Sequence, residues 1–88
     1  MDWTIYAWIK RGSRRKSVLK LLMESDSPLS ANEIKSNLKI SLSQSSSTLK
    51  ELWGKNLIIC LNPDDKIGKL YQINEDIGDV LSELFRDV

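Results

Sequence analysis

Apolar positions return every three or four residues through most of this chain of 88 residues, and one stretch breaks that rhythm. Val18, Leu19 and Leu22, with Met23, line one side of residues 13–25 and predict a helix with Ser13 as its N-cap. Leu29-Ser30-Ala31-Asn32-Glu33-Ile34 carries a capping box. The Ser30 oxygen can accept from the amide of Glu33 while the Glu33 carboxylate reaches back to the amide of Ser30, and Leu29 and Ile34 are placed as a hydrophobic staple. A helix over 30–38 follows, with Ile34 and Leu38 inward. The same box recurs at Ser41-Leu42-Ser43-Gln44, so a second short helix, over 41–55, begins directly after the connection Lys39-Ile40. Ile40 and Leu42 are expected to pin the turn between them.

Within 41–55, Leu42, Leu49, Leu52 and Trp53 share the buried face, with Ser45 between them. Ser43, Gln44, Ser46, Ser47 and Lys50 are left toward solvent. Asn56 is placed to take the left-handed conformation that ends a helix. The rhythm then shifts. Leu57-Ile58-Ile59-Cys60-Leu61 and Lys69-Leu70-Tyr71-Gln72-Ile73 are β-branched and alternating runs joined by Asn62-Pro63-Asp64-Asp65-Lys66-Ile67-Gly68, which predicts a hairpin over 57–73 with a long tip. Inside its first strand Cys60 reads as a small buried hydrophobe. Asn74 caps a final helix over 74–88, whose stripe is Ile77, Val80, Leu81, Leu84, Phe85 and Val88. Residues 1–12 fit two periods at once: Trp3, Ile5, Ala7 and Ile9 as a strand face, or Ile5, Trp8 and Ile9 as a helix face.

Length bounds the chain to one small domain over 1–88 with a single core. The net charge of +1 excludes the strongly basic class, but the charge is uneven. Residues 1–25 carry six Lys or Arg against two acids, and residues 57–88 carry three against seven. The densest basic cluster, Lys10-Arg11-Gly12-Ser13-Arg14-Arg15-Lys16, leads into a helix start, where cations oppose the helix dipole. Helix stability does not explain that placement. Contact with phosphate does, as would ion pairs with the acidic tail. Three of the six aromatic residues (Trp3, Tyr6, Trp8) sit in the first eight positions. With the stripe at Leu81, Leu84 and Phe85, they are expected either at a homodimer contact or over the chain's own core.

One cysteine and no histidine exclude an intrachain disulfide, a Cys/His metal site and His-based catalysis. No nucleophile-base pair stands out, so no enzymatic role and no cofactor is expected. No apolar run approaches the roughly 20 residues of a membrane span. The apolar start precedes its basic residues, the reverse of a signal peptide. These features predict a soluble cytoplasmic protein with no membrane or metal partner.

The order helix, helix, turn, helix, hairpin, helix is that of a winged helix-turn-helix, an α+β and mainly α fold. The segment Leu49-Lys50-Glu51-Leu52-Trp53-Gly54-Lys55-Asn56-Leu57-Ile58 resembles the helix-to-strand junction of MarR- and ArsR-like transcription regulators. The stretch from Leu61 to Gly78, with Tyr71-Gln72-Ile73 closing the wing, is similar to that of small archaeal members, as is the entry Trp8-Ile9-Lys10-Arg11 with Arg15. The resemblance spans about residues 8–84. It departs at Ser47, where those regulators usually carry Arg or Lys, at Ser45, where they carry an apolar residue, and at Asn56, where they carry Gly.

The resemblance implies a homodimer on double-stranded DNA, with helix 41–55 in the major groove. Ser43, Gln44, Ser46, Ser47 and Lys50 would read or grip it, Gln44 favouring adenine in a bidentate pair. Lys66 and Lys69 of the wing, with Arg11, Arg14 and Arg15, would supply phosphate contacts. Asp64 and Asp65 oppose the wing's share. The alternative is a winged-helix module that docks another protein without DNA. No effector can be named.

Overall fold

The structure is a computed structural model and describes residues 2–86. Its elements are α1 (Trp3–Lys10), α2 (Ser13–Glu24), β1 (Leu29–Ser30), α3 (Ala31–Leu38), α4 (Leu42–Gly54), β2 (Ile58–Cys60), β3 (Leu70–Ile73), a 3-10 turn (Glu75–Ile77) and α5 (Gly78–Phe85). That order is a winged helix-turn-helix, as expected. None of these helices is long and apolar enough to cross a membrane.

The two-period ambiguity at the N-terminus resolves as helix. Asp2 decides it: its carboxylate accepts from the amides of Thr4 at 3.0 Å and Ile5 at 3.3 Å, satisfying donors that a helix start leaves open. The buried face is then Ile9, with Ile5 and Trp8 packed beside it. α2 starts where expected, but Gly12 rather than Ser13 is its N-cap and no side chain bonds the first turn. Val18, Leu19 and Leu22 are buried, whereas Met23 is exposed.

Both capping boxes form. Ser30 accepts from the amide of Glu33 at 3.2 Å and donates its own amide to Glu33 at 2.9 Å. Ser41 and Gln44 do the same at 3.0 and 3.1 Å. Lys39 closes α3 at φ 56° and Asn56 follows α4 at φ 60°, left-handed conformations that end helices. Leu29 and Ile34, the expected staple, are both in the core.

The hairpin gains a third strand. Two-residue β1 pairs antiparallel with β3, Leu29 opposite Tyr71 and Ser30 opposite Leu70, while β2 pairs β3 with Ile58 opposite Ile73 and Cys60 opposite Tyr71. The order is β1-β3-β2. This ties the wing to the start of α3, so the wing's root cannot swing freely against the helices. Its shoulder is organised by Asn62, which donates to Gly68 at 3.1 Å and Asp65 at 2.9 Å and accepts from the amide of Leu70 at 2.7 Å. Gly68 sits at φ 74°, a conformation for which glycine needs no strain.

The final helix is shorter than the stripe predicts. Asn74 does cap a turn, accepting from the amide of Asp76 at 3.0 Å, but that turn is 3-10 and α5 begins only at Gly78. Asn74 also donates to the Asn56 carbonyl at 2.8 Å, clamping the end of α4 to the start of the last segment. Val80 and Leu81 are core residues and Ile77, Leu84 and Phe85 pack against it. Val88, expected on the same stripe, lies outside the described residues.

Candidate nucleic-acid interface

Helical spacing divides α4 cleanly. Ser45, Thr48, Leu49 and Leu52 point into the domain, so the opposite line, Ser43, Ser47 and Lys50, points out. All three are exposed, as are Gln44 and Ser46. Leu42 is the exception to the expected inner face: it is exposed and stands beside Ser46 on the flank toward the wing. Ile40, by contrast, is half-buried as a turn anchor should be.

Ser45, where the resemblance implies an apolar residue, is accommodated by its surroundings. It is 0% exposed, and its hydroxyl donates to the Ala31 carbonyl at 2.8 Å. That carbonyl belongs to the first turn of α3, so the bond sets the approach of the two helices of the motif. Thr48, equally enclosed, donates to the Gln44 carbonyl at 2.8 Å. Neither hydroxyl is left without a partner, as burial requires.

Two basic groups flank the outward line of α4. On one side, Arg11, Arg14 and Arg15 with Gly12 and Ser13 form the wall of a polar cleft of about 390 Å³ that α4 closes with Thr48 and Glu51. On the other, Lys66, Ile67, Gly68 and Lys69 of the wing face Leu42 and Ser46 of α4 and the start of α3 across a cleft of about 230 Å³. The basic candidates of the N-terminal stretch and of the wing thus each share a cleft with α4. Arg11 and Arg14 are exposed and, among the described residues, neither guanidinium has a hydrogen-bond or ion-pair partner. The expected alternative, pairing of this cluster with the acidic tail, does not occur among those residues.

Arg15 differs from its neighbours. Its guanidinium lies 3.9 Å from the centre of the Trp8 ring, donates to the Trp8 carbonyl at 2.6 Å and stands 3.7 Å from a Glu51 oxygen. The guanidinium thereby joins α1, α2 and α4, which leaves it more tightly held than Arg11 and Arg14. Gly12 makes room for this, because a Cβ there would meet Arg15 Cδ at 2.6 Å. Lys69 is partly engaged too, with Nζ 5.4 Å from the centre of the Trp53 ring, which itself meets Tyr71 edge-on at 6.0 Å.

Gln44 is partly engaged, its Oε1 accepting from the Ser41 amide. In the wing, Asp65 is turned toward Asn62, while Ile67 at the tip is 91% exposed. Asn62 and Glu51 were missed as organising residues. Asn62 was legible in the Asn-Pro-Asp turn chemistry, whereas nothing in the sequence marks Glu51 as the partner of Arg15.

The residues expected at a dimer contact do not share one environment. Leu81 is 7% exposed and belongs to the chain's own core, which removes it from any outer surface. Trp8 packs against the core under Arg15, with Lys55 Nζ 5.4 Å from its ring centre. Trp3 remains 60% exposed, set edge-on to Tyr6 at 5.3 Å. Leu84 and Phe85 are half-buried and line a groove of about 310 Å³ with Ser13, Lys16, Ser17 and Lys20 of α2.

No family model matches the chain, and no curated protein matches it either. Solved structures do. A cysteine-to-serine mutant of ZitR from Lactococcus lactis is 28% identical over 81% of this chain and 48% of its own, with a TM-score of 0.67. Wild-type ZitR in complex with DNA is 27% identical over 82% of this chain and 49% of its own, with a TM-score of 0.68. The reduced form of MarR from E. coli is 21% identical over 99% of this chain and 75% of its own, with a TM-score of 0.62. The chain thus spans about half the length of the ZitR chains it matches. Three helices, the strand-tethered wing and these likenesses together make the fold a winged helix-turn-helix of the MarR type.

Proposed function

We propose that this chain is a sequence-specific, double-stranded DNA-binding transcription regulator that acts as a homodimer. The observation that carries this reading is the flanking of an exposed, hydroxyl-bearing helix face by unpaired cations on both sides. With α4 in a major groove, Ser43, Ser47 and Lys50 face base edges and the near phosphates. Arg11 and Arg14 on one flank and Lys66 on the other reach the backbone strands that border the groove, and Lys69 adds to the wing side. A two-fold dimer then reads half-sites about one helical turn apart. The likeness to ZitR, a protein solved in complex with DNA, supports the same use of the fold. The wing closure at Tyr71-Gln72-Ile73 supports a place among the small archaeal regulators, and a sequence in which no nucleophile-base pair stands out is in keeping with a non-enzymatic role.

Attraction comes from the flanks more than from α4, whose outward line carries one cation, Lys50. Selection from a random duplex pool tests the reading directly: a recovered palindromic site supports it, and recovery of no duplex at low salt overturns it. One observation favours the second reading, a protein-docking module. Ile67 and Trp3 are apolar and open, and in that case variants at these positions, rather than at Lys50, abolish function.

A further inference from the structure

The capping box that starts α4 has a consequence for what the helix can read. A free glutamine amide pairs with adenine in two bonds, giving a hydrogen to N7 and taking one from N6. In this chain the Gln44 oxygen already accepts from the Ser41 amide at 3.1 Å, while the Ser41 hydroxyl accepts from the Gln44 amide at 3.0 Å. The two bonds hold the side chain back over the helix start. One lone pair of Oε1 is thereby taken and its direction fixed toward the backbone, while both hydrogens on Nε2 are unbonded.

Of the rest of the exposed face, one residue has the same bias. Lys50 is a donor without an acceptor. Ser43 and Ser47 both give and take, so they discriminate little alone. The one carboxylate on α4, Glu51, lies on the flank toward α2 and faces Arg15 at 3.7 Å. No free carboxylate on α4 is therefore left to take a hydrogen from cytosine N4.

Resting on the DNA-binding reading above, we propose that Gln44, its oxygen held over the helix start, reads chiefly as a donor through Nε2 and favours the acceptor edges of guanine or thymine over adenine. Guanine offers O6 and N7 and thymine offers O4 in the major groove, where adenine and cytosine each present an amino group that would meet the Gln44 hydrogens donor to donor. Pairing with adenine asks the same oxygen to accept a second hydrogen while it is held against the Ser41 amide, which restricts the approach of the base.

The test uses the duplex recovered by selection with the parent protein, and versions of it carrying all four base pairs at each position. Binding of the parent, Gln44→Ala and Gln44→Glu is compared as ratios between base pairs, which cancels the general effect of added charge. One position is expected to prefer guanine or thymine on the order of tenfold. That ratio falls toward one in Gln44→Ala. It turns toward cytosine in Gln44→Glu, whose carboxylate still caps Ser41 but carries no hydrogen to give. Thermal unfolding of Gln44→Glu close to the parent shows that the cap is intact. Adenine or cytosine at the Gln44-dependent position overturns the proposal, as do ratios that neither variant changes. Absence of duplex binding by the parent overturns the regulator reading itself, a different result from binding with adenine read.

Discussion

The Arg15 guanidinium lies over the Trp8 ring, 3.9 Å from its centre, and the same group donates to the Trp8 carbonyl and faces Glu51 on α4. One side chain thus fastens the N-terminal helix to the helix proposed to enter DNA. Arg15→Ala removes a stacked cation and a charge-assisted bond, so it is expected to destabilise the fold by about 2 kcal/mol and lower Tm by roughly 8 °C or more. Arg15→Lys keeps the charge without the planar stack and recovers only part of the loss. Gly12→Ala, which drives a Cβ into Arg15, is expected to resemble Arg15→Ala. Thermal unfolding and tryptophan fluorescence check this; an unchanged Tm in Arg15→Ala contradicts it.

Ser45 locks the two helices of the motif through the Ala31 carbonyl. Ser45→Ala removes the bond between the helices while the carbonyl keeps its place in the α3 ladder, at a cost of about 1 kcal/mol. Ser45→Leu, closer to the apolar pattern of similar chains, adds volume to a filled space and costs about 1–3 kcal/mol. Urea unfolding measures both, and a stabilised Ser45→Leu would show that the hydroxyl is not needed for the helix approach.

Much of the fold was legible because its signals are local. Each capping box needs four consecutive residues, and both formed at the predicted positions, as did the left-handed Asn56. The missed features are non-local or small. β1 is two residues long and exists because β3 lies beside it, and no sequence period reports a partner 40 residues away. Asp2 as an N-cap was readable and would have decided between strand and helix for the first segment. Among candidate site residues, the exposed set on α4 followed from helical spacing. Arg15 did not, because the ring that captures it lies on another helix, and Leu81 was placed outward by a stripe wider than the surface left after α5 packs.

Burial pushes the Tyr71 hydroxyl above its usual 10.0, and the neighbouring Cys60 thiolate adds to the rise. The folded protein therefore holds that proton more tightly than the unfolded chain does. The associated stability is fully present below the unfolded value near pH 10 and is lost as pH rises through the higher folded value. Between pH 9 and about 11 the parent should lose stability faster than Tyr71→Phe, which has no proton to lose there. Denaturant unfolding across that range checks the sign; parallel curves refute the assignment.

For the proposed homodimer, the accessible candidates are Trp3, with the half-buried Tyr6, Trp8, Leu84 and Phe85. Sedimentation at micromolar concentration is expected to give twice the chain mass. Leu84→Glu, on the groove beside Lys16 and Lys20, is expected to give a folded monomer. A parent that sediments as a monomer at every concentration removes the dimer from the account.

The central claim is that cations on either side of α4 hold duplex DNA. Its most direct test is the salt dependence of binding, measured by fluorescence anisotropy on a labelled duplex carrying the selected site. Affinity of the parent should fall steeply and linearly on a log-log plot, by a slope of about 0.9 for each phosphate engaged. Lys50→Ala should flatten the slope by about one such step and the Arg11→Ala/Arg14→Ala double variant by about two. No measurable duplex binding at low salt, or a slope that these variants leave untouched, contradicts the claim.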